Sequence, residues 1–397
     1  MVILRLNRTF FYWMKYFLFF VFLISILSCS SFESTEKKAW KELNQKAYFN
    51  YKSGNYYQGV EWMEKACDYA TEHFGPEHPD TLSSMNNLIM FYMEQGRKTD
   101  IEPLLIKLIN ASTKTFGEHH KFTLACMDRL AAYYVTSGQL TKALSLYDQL
   151  LDAKKKELGA NHPAIRNILI NQAAIYSGLK NLDQAEKKFY EIIHFKISND
   201  KKNEKKAIDD VPLTARLDLA RLYESQQKIE LAEKQYRYVY EFYRDQKGEN
   251  DDDTLKAMHY LAQLYGLSST QEKALQLYEQ GYDICQKNRS STDPLLFIFQ
   301  KNRAILRVQL KKGELAETAI TEVLEKSMDA YGQYDPNTIM LLYYSGIQHE
   351  NMGKTKQAEM IFETVLTNAK AIFGETHLMT ETIAKHINDF KHQYHVQ

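Results

Sequence analysis

A period of 42 residues constrains this chain more than any other feature. Gln45, Asn87, Arg129, Asn171, Asp218, Tyr260, Asn302 and Tyr344 follow one another at steps of 42, except for a step of 47 between Asn171 and Asp218. None of the eight is aliphatic. Fourteen residues further on runs a column of small residues, Gly59, Ala143, Ala185, Ala232, Ala274, Ala316 and Ala358, broken only by Ile101. Gly75, Gly117, Gly159, Gly248, Gly332 and Gly374 mark a turn in the same period. Three registers sharing one period mean one structural unit stacked many times, each covering the apolar face of its neighbour.

Each repeat reads as two amphipathic helices. In the third, Leu130, Ala131 and Tyr134 share a face, Gly138 ends the first helix, and Ala143, Leu146, Tyr147 and Leu150 follow at helical spacing. The first repeat is expected to run as helices over 38–51 and 56–73, and the second to begin its first helix at 82 and end it at Gln95. Pro103 is expected within the first turn of its helix, where a missing N–H does least harm. The polar stretch 197–211 is longer than the other links and reads as an exposed loop. A last helix over 379–393 carries Ile383, Ile387 and Phe390 on one side and Lys385, Asn388, Lys391 and His392 on the other, as a terminal cap requires. With 44% hydrophobic residues and only seven prolines, the chain can bury a continuous core. Balanced charge, 50 basic against 50 acidic residues, argues against a nucleic-acid role.

The N-terminus has another character. Arg5, Arg8 and Lys15 precede an apolar run over 16–27, with no acidic residue before Glu33. This is the pattern of a signal peptide and is short for a spanning helix. Ile26-Leu27-Ser28-Cys29 resembles a bacterial lipobox, and the resemblance implies that Cys29 becomes the lipidated first residue, palmitate included, of a mature chain. The alternative is an uncleaved signal anchor over 9–27. Residues 1–28 are thus expected as a signal peptide, 29–37 as a tether, 38–375 as the repeat array and 376–397 as the capping helix and tail. Removing 1–28 leaves 47 basic against 50 acidic residues.

A large residue, then leucine, a small residue, an aromatic and, nine later, alanine before another aromatic is the tetratricopeptide pattern. Leu130-Ala131-Tyr134-Ala143-Tyr147 and Leu261-Ala262-Tyr265-Ala274-Tyr278 resemble it closely. The links, such as Phe74-Gly75-Pro76-Glu77-His78-Pro79-Asp80-Thr81, resemble those of the kinesin light chain subtype, whose repeats run 42 residues. The resemblance implies an all-α, right-handed superhelical solenoid of about eight helix pairs plus a capping helix, with first helices lining the concave side. The first and seventh repeats depart from it: Lys46 and Asn50 stand for leucine and an aromatic in one, Arg303 and Arg307 in the other.

Several residues invite functional readings that the repeat explains better. Tyr92, Tyr134, Tyr176, Tyr223 and Tyr265 recur where helices meet, so core packing accounts for them. His78, His120 and His162 recur at 42 and read as link caps, too far apart for one metal ion. Asp251-Asp252-Asp253 reads as a charged helix start. Cys67, Cys126 and Cys285 are distant along the array and read as small buried residues. Tyr238 and Phe242 lie off the core stripe, and either pack under the 197–211 loop or form an exposed patch. No phosphate loop, metal motif or nucleophile motif is present. Neither a cofactor nor enzymatic activity is expected.

In the resembled family the opening column faces the groove. Asn87, Asn171 and Asn302 can donate and accept together, which suits an extended peptide backbone. Gln45, Arg129 and Asp218 extend that column, while Tyr260, Lys301, Asn302, Tyr343 and Tyr344 offer an aromatic and basic surface. A lysine–asparagine–arginine carboxylate clamp of the kind some relatives use is not made: Asn87 and Arg129 match, but Asn44, Tyr48 and Ala125 stand at the other positions. The expectation is a membrane-tethered scaffold of the bacterial cell envelope, at the outer membrane facing the periplasm or on an inner-membrane anchor, that binds a partner protein or peptide. The alternatives are a peptide sensor that changes superhelical pitch, and a regulator of an envelope enzyme acting through the convex face.

Overall fold

The computed structural model describes residues 34–196 and 210–394. The expected signal segment with Cys29, the start of the tether, most of the charged loop and the last three residues lie outside them. The described residues form seventeen α-helices and no strand. The chain divides into two compact units, Met1–Glu157 and Leu158–Gln397.

The first unit holds α1 (Thr35–Lys52), α2 (Tyr56–Phe74), α3 (Pro79–Gln95), α4 (Lys98–Phe116), α5 (Lys121–Thr136) and α6 (Leu140–Leu158). The second holds α7 (Pro163–Gly178), α8 (Leu182–Ile193), α9 (Asp210–Ser225), α10 (Ile229–Lys247), α11 (Asp252–Leu267), α12 (Gln271–Asn288), α13 (Pro294–Gln309), α14 (Glu314–Tyr331), α15 (Pro336–Asn351), α16 (Thr355–Phe373) and α17 (Leu378–Tyr394). They make eight successive pairs and a final helix. α1 to α5, and α7 to α17, each pack on the next in sequence order. Among the described residues no helix is long and apolar enough to cross a membrane.

The links explain why the helices start where they do. His78, His120, His162 and His377 accept a backbone N–H through Nδ1 at 3.2 Å, from Asp80, Phe122, Ala164 and Met379. Asp251, Asp293 and Asp335 do the same through Oδ1 at 2.8–2.9 Å. Each satisfies a donor that the first turn cannot. The preceding aromatic covers the cap: Phe116 stacks on His120 at 4.6 Å and Phe373 on His377 at 4.9 Å. Gly75, at φ 91, lets the chain leave α2 in a conformation that a side chain would strain. The histidine caps and the helix start at Asp251 are therefore as expected.

Between repeats, the tyrosines act as bolts. Tyr92, Tyr134, Tyr223 and Tyr265 are buried, and their hydroxyls donate to Glu64, Glu102, Glu186 and Glu233 on earlier second helices at 2.7–2.9 Å. Such bonds to a charged acceptor contribute roughly 1.5–3 kcal/mol each. Tyr176 is half-buried. In the seventh repeat the bolt survives a change of chemistry: Arg307 reaches Glu279 at 2.7 Å, and the buried Arg303 guanidinium lies 3.5 Å over the Tyr282 ring. In the first repeat, Lys46 and Asn50 occupy a face with no preceding pair among the described residues, and polar side chains suit it.

One detail differs from the expectations, and others bear on them. Pro103 sits at the sixth position of α4, not in its first turn, and its ring leaves the Thr99 carbonyl without the usual helical N–H. An open pocket beside it, lined by Lys98, Glu102, Ile106 and Tyr133 among others, includes no residue of the polar column. Tyr238 is covered on one face by Arg216, 3.9 Å from its ring, and stacks on Phe242 at 6.4 Å. Cys67, Cys126 and Cys285 are free and buried, and burial pushes each thiol up to about 11, so none is a ready nucleophile. On α17, Ile383, Ile387 and Phe390 are buried, while Lys385, Asn388 and His392 are exposed.

Candidate functional site

All eight column residues lie on the first helices of their pairs, α1, α3, α5, α7, α9, α11, α13 and α15. None is buried: Gln45 is exposed and the other seven are half-buried. In the second unit, α11 touches α13 and α13 touches α15, so first helices of neighbouring pairs approach one another. Side chains bridge them along the strip. Lys301 Nζ donates to Asn337 Oδ1 at 2.8 Å, Gln309 Nε2 to the Tyr344 hydroxyl at 3.0 Å, and the Arg221 guanidinium sits 5.1 Å over the Tyr260 ring while pairing with Asp218 at 2.8 Å. In the first unit, Arg129 bonds Asn86, and Trp40 Nε1 donates to Ser84 Oγ at 2.8 Å.

Burial by surrounding protein shifts several of these groups. Burial raises the Asp128 and Asp218 carboxyls above their usual range, although both side chains remain half-open to water. Burial lowers the Arg129 and Lys301 cations, and raises the Tyr344 phenol. It lowers His259 to about 4, with the Lys301 charge adding to the effect, and raises Tyr343 to about 12.

The expected residues do not all play one part. Tyr343 meets Tyr344 edge-on at 5.5 Å but turns toward Phe362 at 6.1 Å and His386 at 5.4 Å, so it packs between helices. Asn302 gives one amide hydrogen to the Ile298 carbonyl of its own helix at 2.8 Å. Asp128 and Arg129, adjacent in the chain, form no ion pair; Arg129 turns to Asn86 instead. Gln45, Asn87 and Asn171 make no side-chain hydrogen bond to another described residue. Sequence reasoning missed Arg221, Gln309 and Asn337, which carry the bridges, and His386, which extends the column by one further step of 42 from Tyr344. Its Nε2 lies 3.4 Å from Glu350. Among the described residues no group of three His, Cys, Asp or Glu side chains could hold a metal ion.

Family models described as tetratricopeptide repeat match residues 43–80, 80–156, 137–193 and 212–287. No curated protein matches the chain. Among solved structures, it is similar to BtubC (BKLC) from P. vanneervenii, at 16% identity and a TM-score of 0.46, over 62% of this chain and 92% of that one. It is also similar to a tetratricopeptide repeat protein from Parabacteroides merdae, at 18% identity and a TM-score of 0.41, over 78% and 99%. A putative kinesin light chain of nearly identical repeats from Podosopora anserina matches at 20% identity and a TM-score of 0.31, over 65% and 100%.

Proposed function

Because the chain belongs to the tetratricopeptide repeat family, we propose that the polar strip on the first helices within a unit holds an extended segment of a partner protein. One observation carries this reading: every column residue is polar or aromatic, and none is buried between helices. A peptide in extended conformation presents unpaired N–H and C=O groups on both edges. The amides of Asn87 and Asn171 can donate and accept toward such a backbone whatever its sequence. Tyr260 and Tyr344, half-exposed on α11 and α15, add contact area for the partner's side chains.

The N-terminal segment adds a tether. Its basic start, its apolar run and Cys29 support lipid attachment outside the cytoplasm, which would present the strip to envelope proteins. Each buried methylene of a lipid contributes ~0.8 kcal/mol, so several acyl chains hold a protein essentially permanently.

In-cell photocrosslinking from Ala125 on α5, with Lys107 on a second helix of the same unit as comparison, tests the strip. The expected result is a crosslinked partner at Ala125 and not at Lys107, lost when Gln45→Ala and Asn87→Ala are combined. Capture that survives both substitutions, or that comes only from Lys107, removes the strip as the site. The tether is tested separately, by membrane fractionation and mature mass of Cys29→Ala. An unchanged fraction and mass refutes lipidation.

A further inference from the structure

The turn between α1 and α2 departs from the pattern of every other pair. Tyr48 is 42% exposed, Phe49 70%, Tyr56 52% and Tyr57 84%. Of the counterparts of Phe49 in later repeats, Phe91, Ile175, Leu222, Leu264, Leu306 and Gln348 are buried and Tyr133 is half-buried. Phe91 shows why: it packs on the preceding pair, where a Cβ added to Gly59 would lie 3.1 Å from its ring. Pair one has no such neighbour among the described residues. Lys46 and Asn50, whose counterparts are mostly leucine and tyrosine, have accordingly become polar. Phe49 has not. Tyr57 also stands where every other pair carries threonine or a charged residue, as at Thr99, Glu272 and Lys356.

Charge along this stretch of chain is equally one-sided, although Glu94 of α3 reaches the Tyr51 hydroxyl behind it. Residues 46–60 contain Lys46 and Lys52 and no aspartate or glutamate, in a chain whose acidic and basic residues otherwise balance. The Lys52 ammonium lies 5.5 Å from the Tyr48 ring centroid. Tyrosines at a polar–apolar boundary, flanked by lysine, suit the interface of an anionic bilayer: rings sit at headgroup level and ammonium groups meet phosphates.

Distance permits the contact. Five residues separate Cys29 from Thr35, and span at most about 18 Å. α1 has 18 residues and is about 27 Å long. We propose that the aromatic tip formed by Tyr48, Phe49, Tyr56 and Tyr57 lies against the surface of an anionic lipid bilayer. The tip then fixes the orientation of the first unit at the membrane, which lipid attachment alone would leave free. This inference rests on the membrane tether proposed above.

The full chain, reconstituted in vesicles of phosphatidylethanolamine and phosphatidylglycerol, provides the test. A benzophenone amino acid replaces Phe49 or Tyr57, and, as a comparison, Leu315, which is 62% exposed in the second unit. Lipid adducts at positions 49 and 57, with none above background at 315, are expected. Adducts to protein, no adduct at 49 and 57, or equal lipid adducts at all three positions overturn the proposal. An alkaline carbonate wash reads the tether independently. A chain that resists washing but gives no adduct loses the tip and keeps the tether; one that gives adducts but washes off keeps the tip and loses the tether.

Discussion

Gly281 on α12 faces Phe299 on α13 so closely that a Cβ on the glycine would lie 2.1 Å from the ring. Phe299 is fully buried, with Tyr278 at 5.9 Å and His259 at 6.4 Å, so the ring has nowhere to step. One period earlier the same two positions hold Val239 and Ala257, both buried. The chain has therefore exchanged an aliphatic–small pair for glycine and phenylalanine at similar total volume. Gly281→Val alone should cost about 3 kcal/mol, near the top of the usual overpacking range, because the contact is far inside van der Waals distance. Phe299→Ala alone should cost about 4 kcal/mol through the cavity it leaves. The double substitution rebuilds the Val239–Ala257 arrangement and should cost less than Phe299→Ala alone, a coupling of about 3 kcal/mol. Stacked repeats open locally, so the readout is hydrogen exchange of α12 and α13 amides, with urea unfolding alongside. A double variant whose cost equals the sum of the two singles refutes the compensation.

Three further substitutions follow from the caps, the turns and one histidine. His120→Ala should lower stability by about 1 kcal/mol through loss of the cap, whereas His120→Asp should match or exceed the parent in thermal unfolding, since aspartate makes the same bond in three other links. Lys311 holds φ 53 where other turns use glycine, so Lys311→Gly should raise stability by about 1 kcal/mol; a decrease in the urea midpoint would contradict this. Burial holds His259 near 4 against an ordinary value of 6.5. The unfolded chain therefore binds a proton first as pH falls, and stability declines from about pH 6.5 toward 4. His259→Gln should remove up to one proton from that slope in urea titrations at several pH values, and an unchanged slope would exclude the histidine as its source.

Much of this fold was legible because stacking repeats its demands at fixed spacing. The small column reports where second helices need close approach, and all its alanines are fully buried. The glycines and histidines of the links likewise report φ and capping, which are local properties. What stayed hidden depends on pairs of residues in different repeats. Arg303 and Arg307 look like defects in their own register, and become bolts only when Tyr282 and Glu279 are placed opposite them. Gly281 and Phe299 are each anomalous alone and complementary together. The Pro103 helix shows the converse: a single residue argued for a helix start, yet Ile101, Leu105 and Leu108, all buried, hold α4 together around it.

The polar column was legible as a pattern, but not as a division of labour. Arg129, Tyr260 and Tyr344 already bond or stack with neighbouring first helices, through Asn86, Arg221 and Gln309. A ligand that takes the atom or ring face already in use must break the existing contact, which cancels most of the net 0.5–1.5 kcal/mol that a typical new hydrogen bond would add. Asn87 and Asn171 give up only water, so affinity for a peptide backbone should concentrate there. The bridged residues instead set the separation of consecutive first helices within their own unit, and with it the spacing of the groups that a segment lying along that unit meets. Substituting a bridge should therefore change the register of a bound segment, and substituting a free amide its affinity; a strip in which both kinds of substitution behave alike is not divided in this way.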